Sequence, residues 1–286
     1  MTGPVILITG STDGIGRASA ATLLQEGAEV IIHGKDRRKV ETVRQVLGRE
    51  SGGSLPEAVT ADLSEMGQVR TMAADLSSRY SRLDVLLNNA GTYQKVRRLN
   101  TEGFEVTFAV NYLAPFLLTN LLISLLRKSP SARIVTVASS AHEDVGRIDW
   151  DNLPGLPRYD AWGAYALSKF ADVTFTYVLA RQLKPEGITA NCLHPGVTAT
   201  KLLHSAFPKM TGITPEEAAK TPVCLATSAH VAGVSGKYFE ELRPVQSSAM
   251  SRDRKVQERL WTLAENLTGL SPPEKSPRSS SGRRKD

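Results

Sequence analysis

The chain has 286 residues, of which 41% are hydrophobic and 22% are charged. It can therefore bury the core of one large domain, and it is not disordered as a whole. Its formal net charge is +6, but residues 271–286 contain five basic and two acidic residues, a net +3, so the rest is too weakly basic to indicate nucleic-acid binding.

The cysteines and the apolar runs exclude further classes of protein. Cys192 and Cys224 lack the CxxC spacing of a zinc site or a disulfide scaffold, and we expect two buried, reduced thiols and no metal. The first apolar run, residues 5–8, is too short for a signal peptide or a membrane span, and no stretch of 18 apolar residues occurs. We therefore expect a cytoplasmic protein without a membrane span.

Short apolar runs alternate along the chain with longer segments of helical periodicity. Runs of four or five aliphatic residues without alternation predict strands that are buried on both faces of a parallel sheet. The predicted strands are Val5–Thr9, Glu29–His33, Glu57–Thr60, Val85–Asn88, Arg133–Val137, Thr189–Leu193 and Gly236–Phe239. The predicted helices include Arg17–Glu26, Arg38–Leu47, Met66–Ser78, Glu105–Leu126, Ala166–Leu183 and Pro215–Ser228.

This order of elements predicts one domain over residues 1–270. Repeated strand–helix–strand units give a doubly wound parallel α/β sheet of about seven strands, with helices on both faces. Residues 271–286 are rich in serine, proline and basic residues and predict a disordered, solvated tail.

A glycine-rich turn directly follows the first predicted strand and precedes the first helix. Its glycines allow a tight turn, close approach of a pyrophosphate to the backbone, and a helix N-terminus that faces the anion. The turn predicts a Rossmann-type dinucleotide site formed by Gly10, Ser11, Thr12, Asp13, Gly14, Ile15 and Gly16.

The end of the second predicted strand indicates which dinucleotide binds. A residue that recognises the ribose 2′-hydroxyl would be Asp or Glu at this point, whereas this chain has Gly34 followed by Lys35. The missing carboxylate and the nearby cation favour NADP(H). NAD(H) is the alternative if the basic residues are only the solvated start of the next helix.

Tyr165 and Lys169 are spaced i, i+4 at the start of a long helical segment, which puts both side chains on one face. A tyrosine with its ordinary pKa of about 10 is a poor base, but a nearby ammonium group and an oxidised nicotinamide stabilise its phenolate. Upstream, Ser139 and Ser140 follow a predicted buried strand, at the edge of the sheet where ligands bind in such folds. Together these residues predict a proton-transfer site.

The ordered set of motifs resembles the short-chain dehydrogenase/reductase family over about residues 3–270. The set consists of the turn at 9–16, Asn88-Asn89-Ala90-Gly91, Asn111, Ser140, Tyr165 with Lys169, and Pro195-Gly196. Residues 103–120 and 146–153 look most like the retinol dehydrogenase and WW-domain oxidoreductase branch. The resemblance implies an NAD(P)-dependent oxidoreductase that transfers a hydride between nicotinamide and a carbonyl or alcohol carbon without a metal.

The resemblance also implies a role for each matching residue. Tyr165 would exchange a proton with the carbonyl oxygen, Ser140 would hydrogen-bond that oxygen, and Lys169 would bind the nicotinamide ribose. Asn111 would help to hold a water molecule that relays the proton. The remaining cofactor contacts would be Asp62 at the adenine, Thr200 at the nicotinamide amide, and Leu63, Asn89, Ala90, Gly91, Pro195, Gly196 and Thr198 along the cleft.

Two further features bear on the catalytic hydroxyl and on the substrate. Ser140 and Tyr165 are 25 residues apart, which is more than is usual in the family, although the retinol dehydrogenase branch carries a similar insertion. Ser139 is the alternative hydroxyl donor. After Pro195, a set of apolar residues predicts a lid over the cleft and hence a hydrophobic alcohol, aldehyde or ketone: Leu202, Leu203, Phe207, Met210 and Ile213.

Several alternatives stay open at this level. One is a non-catalytic NADP(H)-binding regulatory or interaction protein on the same fold, and another is an interaction module driven by the tail. A related epimerase or dehydratase would share the Tyr-Lys spacing but not the Asn-Asn-Ala-Gly motif. His142 and His194 are interpreted as structural or cleft-lining. The resemblance implies a homodimer or homotetramer, paired through the helices that hold Asn111 and Tyr165.

Overall fold

The protein contains one sheet of eight strands in the described residues, which are 3–52, 54–153 and 157–270 of the computed structural model. The tail predicted at 271–286 lies outside these residues. The strands are β1 (Val5–Ile8), β2 (Glu29–Gly34), β3 (Glu57–Thr60), β4 (Val85–Asn88), β5 (Arg133–Val137), β6 (Thr189–His194), β7 (Tyr238–Glu240) and β8 (Arg243–Val245).

The strand order is β3-β2-β1-β4-β5-β6-β7-β8, and every pair is parallel except β7 with β8. The predicted doubly wound α/β fold is confirmed, with a short antiparallel edge strand that the sequence did not indicate. From β1 the chain builds outward to β3 and then crosses to β4 on the other side of β1. Ligands in such sheets bind at the carboxyl ends of the strands beside this point of reversal.

The described residues contain eight α-helices, of which all but the short Lys201–Ala206 helix pack on the two faces of the sheet. They are α1 (Gly14–Gln25), α2 (Arg37–Glu50), α3 (Met66–Arg79), α4 (Val106–Leu126), α5 (Ala161–Leu183), α6 (Lys201–Ala206), α7 (Pro215–Thr227) and α8 (Arg254–Thr268). The core on one face combines residues of α1, α2 and α7, and the core on the other combines residues of α3, α4, α5 and α8. Strands β1 and β4 are buried along their whole length between these layers, as their unbroken aliphatic sequences predict.

Helix α4 has two unusual properties. Its residues Ala109–Leu113 form a π-helical turn, a feature that often marks a functional site. Among the described helices it alone is long and apolar enough to cross a membrane, but 72% of its most apolar window is buried inside the protein. Such burial is typical of a helix in the core of a folded domain.

Helix α8 packs against α4 and α5, the two helices through which the family resemblance implies pairing. The Tyr112 hydroxyl donates to the Leu260 carbonyl over 2.9 Å. The Trp261 ring lies 4.8 Å from Phe116 and is stacked at 5.9 Å on Phe175, measured between ring centroids. Part of the surface of α4 and α5 is therefore covered within the chain, and the pairing through these helices that the resemblance implies stays a prediction.

The start of α5 differs from the prediction in a way that matters for the site. The helix begins at Ala161 rather than Ala166, because the Asp160 side chain caps it by accepting from the Gly163 amide over 2.6 Å. Tyr165 therefore lies in the second turn, held by regular helix on both sides. The extra first turn also places Trp162 beside the cleft.

Candidate active site

The glycine-rich turn forms a backbone cradle between β1 and α1. Gly10 and Gly14 have φ values of +65° and +50°, which favour glycine over other residues. A Cβ atom at Gly16 would lie 2.5 Å from the Gly10 carbonyl oxygen, so this position also needs glycine. Asp13 caps α1 by accepting from the Gly14 amide over 3.0 Å. The amides at this helix N-terminus suit an anion such as a pyrophosphate.

His33 supports this cradle from beneath, and no motif in the sequence pointed to it. Its Nδ1 accepts from the Gly10 amide over 3.0 Å, and its Nε2 lies 3.1 Å from the Ala61 carbonyl oxygen. Because Nδ1 accepts, the ring is neutral with its proton on Nε2. Burial lowers the pKa of His33 to about 4, against smaller opposing contributions from Ala61 and Asp62.

Ser11 is part of the same support rather than a wall of the cleft. Its hydroxyl donates to the Ile8 carbonyl over 2.9 Å and accepts from the His33 amide over 2.8 Å. The side chain is completely buried. The hydroxyl is therefore committed to β1 and β2, and the predicted place of Ser11 in the cofactor-binding turn stays a prediction.

Asn89 ties the Asn-Asn-Ala-Gly segment to the cradle. Its side-chain amide donates to the Thr9 and Gly10 carbonyls over 2.8 and 3.2 Å. The Thr9 hydroxyl in turn accepts from the amides of Asn89 and Ala90. Asn89 and Ala90 line the cleft, as predicted, and Asn89 also fixes the shape of the glycine turn.

The end of β2 presents a cation to the cleft. A Cβ atom at Gly34 would lie 2.6 Å from Thr12 Cγ2, so glycine is required where a 2′-hydroxyl reader would carry its carboxylate. Lys35 follows and lines the cleft. The next carboxylate, Asp36, is used as the cap of α2 and accepts from the Lys39 amide over 2.9 Å.

Asp13 also joins the cradle to the segment after β6. Its carboxylate lies 2.9 Å from Lys39 Nζ and 2.8 Å from Lys201 Nζ. Burial would raise the pKa of Asp13, but hydrogen bonds from Lys201 and Lys39 and from the Gly14 amide hold it at about 2. The carboxylate therefore stays ionised and neutralised beside the proposed pyrophosphate position.

The carboxyl end of β5 carries the predicted hydroxyls. The Ser139 hydroxyl caps the following short 3₁₀ helix by accepting from the Ala141 amide over 3.2 Å. Ser140 is exposed in the cleft, and its side chain has no hydrogen-bond partner among the described residues. Ser140 is thus the hydroxyl that is free to meet a substrate, as the sequence predicts over Ser139.

Tyr165 and Lys169 both face the cleft from α5. The Tyr165 ring lies against Tyr93 at 5.8 Å and Trp162 at 5.9 Å between ring centroids. Lys169 is buried, and its Nζ donates to the Val137 carbonyl over 2.8 Å and to Asp172 over 3.0 Å. The i, i+4 spacing therefore brings a phenol and an ammonium group to the end of β5.

Asn111 is held within the π-helical turn of α4. Its side-chain oxygen accepts from the Thr92 amide over 2.8 Å, and its amide group donates to the Thr92 carbonyl and the Ser168 hydroxyl. These contacts occupy the side chain and join α4, α5 and the segment after β4. Asn111 lies outside the main cleft and lines a neighbouring small cavity, so its predicted water-holding role stays a prediction.

Four aromatic rings form a closed collar at the cleft: Tyr93, Trp162, Tyr165 and Phe207. Each ring lies 5.7–5.9 Å from the next, between centroids. Three predicted lid residues, Leu202, Leu203 and Met210, line the same space. Ile213 does not line it but packs behind Gly196. The sequence did not predict Tyr93, which lies in a loop without periodicity, or Trp162, because the predicted helix began only at Ala166.

The two histidines behave differently. His142 is fully buried, with Nδ1 2.8 Å from the Ser139 carbonyl oxygen and Nε2 accepting from the Ser248 amide. His194 lines the cleft, and burial lowers its pKa. These positions agree with the structural and cleft-lining interpretations of the two residues.

The predicted residues come together around one cleft of about 740 Å³, a size that suits a dinucleotide with a small molecule. Asp62 lines it with one oxygen accepting from the Ser64 amide and hydroxyl. Of the predicted cofactor residues, all except Ser11 line this cleft: Gly10, Thr12, Asp13, Gly14, Ile15, Gly16, Lys35, Asp62, Leu63, Asn89, Ala90, Gly91, Tyr165, Lys169, Pro195, Gly196, Thr198 and Thr200.

Comparison with known proteins agrees with this geometry. The model of the family described as short chain dehydrogenase matches residues 4–211. Mouse retinol dehydrogenase 14 is 37% identical over 292 residues, covering 94% of this chain and 87% of that protein. Human polyprenol dehydrogenase is 36% identical, covering 93% and 85%.

Solved structures show the same architecture. One is a putative short chain dehydrogenase from Escherichia coli CFT073, described as complexed with NADPH. It superposes with a TM-score of 0.70 at 31% identity, covering 82% of this chain and 95% of that one.

Proposed function

We propose a function from the premise that this chain belongs to the short chain dehydrogenase family, whose model spans most of its length. The predicted resemblance to the retinol dehydrogenase branch is confirmed by its relatives, and the chain is an NAD(P)-dependent oxidoreductase that acts on alcohols. We infer that it uses NADP(H) to interconvert a hydrophobic alcohol and its aldehyde or ketone.

The observation that carries the proposal is the meeting of Ser140, Tyr165 and Lys169 at the cleft, opposite the glycine cradle. The Ser140 hydroxyl is free to hydrogen-bond a carbonyl oxygen. Tyr165 protonates that oxygen during reduction and takes the proton back during oxidation. The Lys169 ammonium stabilises negative charge on the phenol oxygen. When bound, the nicotinamide supplies or accepts the hydride.

NADP(H) is favoured by the end of β2. Glycine is required at position 34, Asp36 is committed to the α2 cap, and Lys35 lines the cleft. A 2′-phosphate at this point meets a cation and no free carboxylate, which favours its binding. The similar Escherichia coli protein complexed with NADPH supports the same cofactor.

An apolar substrate is favoured by the aromatic collar. The rings of Tyr93 and Trp162 lie against that of Tyr165, and Phe207 lies against both of them. None of these three neighbours carries a formal charge. Such a lining gains free energy by taking apolar surface out of water. The relatives named retinol dehydrogenase and polyprenol dehydrogenase are consistent with a substrate of this class. A cytoplasmic location stays a prediction.

A panel of substrates tests the proposal. The purified chain is incubated with NADPH or NADH and with long-chain, isoprenoid or aromatic aldehydes and ketones, and with sugars of similar oxidation state. We expect NADPH consumption with the apolar carbonyls and little with the sugars. Turnover confined to polar carbonyls would contradict the substrate class, and a clear preference for NADH would contradict the cofactor assignment.

A further inference from the structure

Lys169 has a buried counter-ion that the proposed reaction does not use. The Asp172 Oδ2 atom lies 3.0 Å from Lys169 Nζ, and the two side chains are 1% and 5% exposed. Both residues belong to α5, one turn apart on the same face. Asp172 itself does not line the main cleft but lies directly behind its wall.

The contacts of the ammonium group fix its direction. Lysine has three N–H donors, and two of them are taken by Asp172 and by the Val137 carbonyl, at 3.0 and 2.8 Å. The third donor is left for the cleft, which Lys169 lines beside Gly91. The carboxylate thus holds the ammonium group in an orientation that presents one donor to a bound ligand.

Among the described elements that pack around Asp172, only Lys169 brings a positive charge close to the carboxylate. From α4, Tyr112 faces it, and burial and the Asp172 charge raise the pKa of this phenol. From β6, Cys192 faces it, and burial and the Asp172 charge likewise raise the pKa of the thiol. Both groups are therefore neutral at ordinary pH, and neither offsets the carboxylate.

The second oxygen of Asp172 faces a small cavity that has both polar and apolar residues in its lining. Asp172 Oδ1, Asn88 Oδ1 and Thr136 Oγ1 are buried without a hydrogen-bond partner among the described residues. All three residues line a cavity of about 10 Å³, a volume that takes one water molecule. The carboxylate therefore shares this cavity with the side chains of Asn88 and Thr136 and does not lie against a purely apolar core.

We propose that Asp172 is a positioning residue for Lys169. Its carboxylate orients the Lys169 ammonium group toward the cleft and offsets the positive charge of that group beside Tyr165. This inference rests on the proposed function, because it assigns Asp172 a part in tuning the Tyr165–Lys169 pair. The carboxylate touches neither the cleft nor the reacting atoms, so it acts only through Lys169.

The ionisation of the two groups agrees with this role. Burial favours the neutral lysine, but the charges of Asp172 and Tyr165 raise the pKa of Lys169. Burial raises the pKa of Asp172 to about 7, and Lys169 opposes this shift. Above that pH the carboxylate is ionised and cancels part of the positive charge that Tyr165 would otherwise meet.

Asp172→Asn removes this charge with little change of shape, and the pH dependence of kcat/KM for NADPH-dependent carbonyl reduction reports the result. Loss of a negative charge makes the Tyr165–Lys169 pair lose its first proton more easily, whichever of the two groups releases it. We expect the midpoint of the alkaline limb to move to lower pH by about one unit.

Thr174→Val is the matched control. Thr174 is buried on the same helix, and its hydroxyl donates only to the Ala171 carbonyl, over 2.9 Å. This variant removes a buried polar group without changing any charge, so its pH profile should coincide with that of the wild type. Asp172→Ser, which is smaller and also neutral, replaces Asp172→Asn if the amide variant does not fold.

The outcomes separate this inference from the proposed function. No carbonyl reduction by the wild-type chain would refute the proposed function. Turnover by the wild type with an unshifted alkaline limb in the folded neutral variant would refute only the role of Asp172. Failure of both neutral variants to fold would assign Asp172 to core stability alone and would also overturn the inference.

Discussion

The buried His33 makes a contribution to the free energy of unfolding that is lost in mild acid. Its pKa is lowered from 6.5 to about 4 in the folded protein, so between these values the unfolded chain binds one proton that the folded chain does not. The contribution of the neutral His33 to the free energy of unfolding is complete above pH 6.5 and is lost as the pH falls toward 4. Each unit in this range costs 1.36 kcal/mol, which gives about 2 kcal/mol between pH 7.5 and pH 5.

His33→Asn tests this reasoning. The asparagine oxygen can replace Nδ1 as the acceptor for the Gly10 amide but does not titrate. Urea denaturation of both proteins at pH 7.5 and pH 5 gives the free energy of unfolding at each pH. We expect the wild type to lose about 2 kcal/mol more than the variant on acidification.

The nearby Asp13 does not interfere with this measurement, because its pKa of about 2 lies below the pH range used. An equal loss of stability in the wild type and in His33→Asn would refute the assignment of His33 as a buried, neutral support. NADPH affinity should fall only as the pH approaches about 4, where His33 becomes protonated in the folded protein and its Nδ1 can no longer accept from the Gly10 amide.

Three further predictions concern the cofactor, the substrate and the assembly. Lys35→Ala should raise the KM for NADPH about tenfold by removing a charged contact worth 1.5–3 kcal/mol, with little change for NADH; equal effects on both cofactors would contradict a 2′-phosphate contact. Phe207→Ala should raise the KM for an apolar aldehyde about tenfold and leave the KM for NADPH unchanged in steady-state kinetics. An unaltered KM for the aldehyde would contradict the role of the collar in binding substrate. Because Trp261 of α8 packs on α4 and α5, we expect sedimentation to give a monomer rather than the pairing that the resemblance implies, and a dimer formed through these helices would contradict this expectation.

Much of the fold follows from local sequence patterns. The unbroken aliphatic runs of β1 and β4 require burial on both faces, and the glycines at 10, 14 and 16 require a tight turn at the start of α1. The spacing of Tyr165 and Lys169 on one helix is enough to predict a shared face. These features depend on neighbours along the chain, and all of them are present in the structure.

The unpredicted features depend on contacts between distant segments. His33 supports Gly10 across 23 residues, and Trp261 of α8 packs on Phe116 and Phe175. The commitment of Ser11 to β2 has the same origin, since only the folded sheet shows where its hydroxyl points. The aromatic collar joins residues from three separate segments, and no periodicity links them.

Replacement of Tyr165 by phenylalanine is the most direct test of the proposed chemistry. Tyr177→Phe is the control, because this tyrosine lies on the same helix and its hydroxyl meets Ser247 outside the cleft. With an apolar aldehyde and NADPH, we expect kcat to fall by a factor of about 100 or more in Tyr165→Phe, with unchanged NADPH affinity, and to stay near the wild-type value in Tyr177→Phe. Wild-type turnover by the Tyr165→Phe protein would contradict the assignment of this phenol as the proton donor.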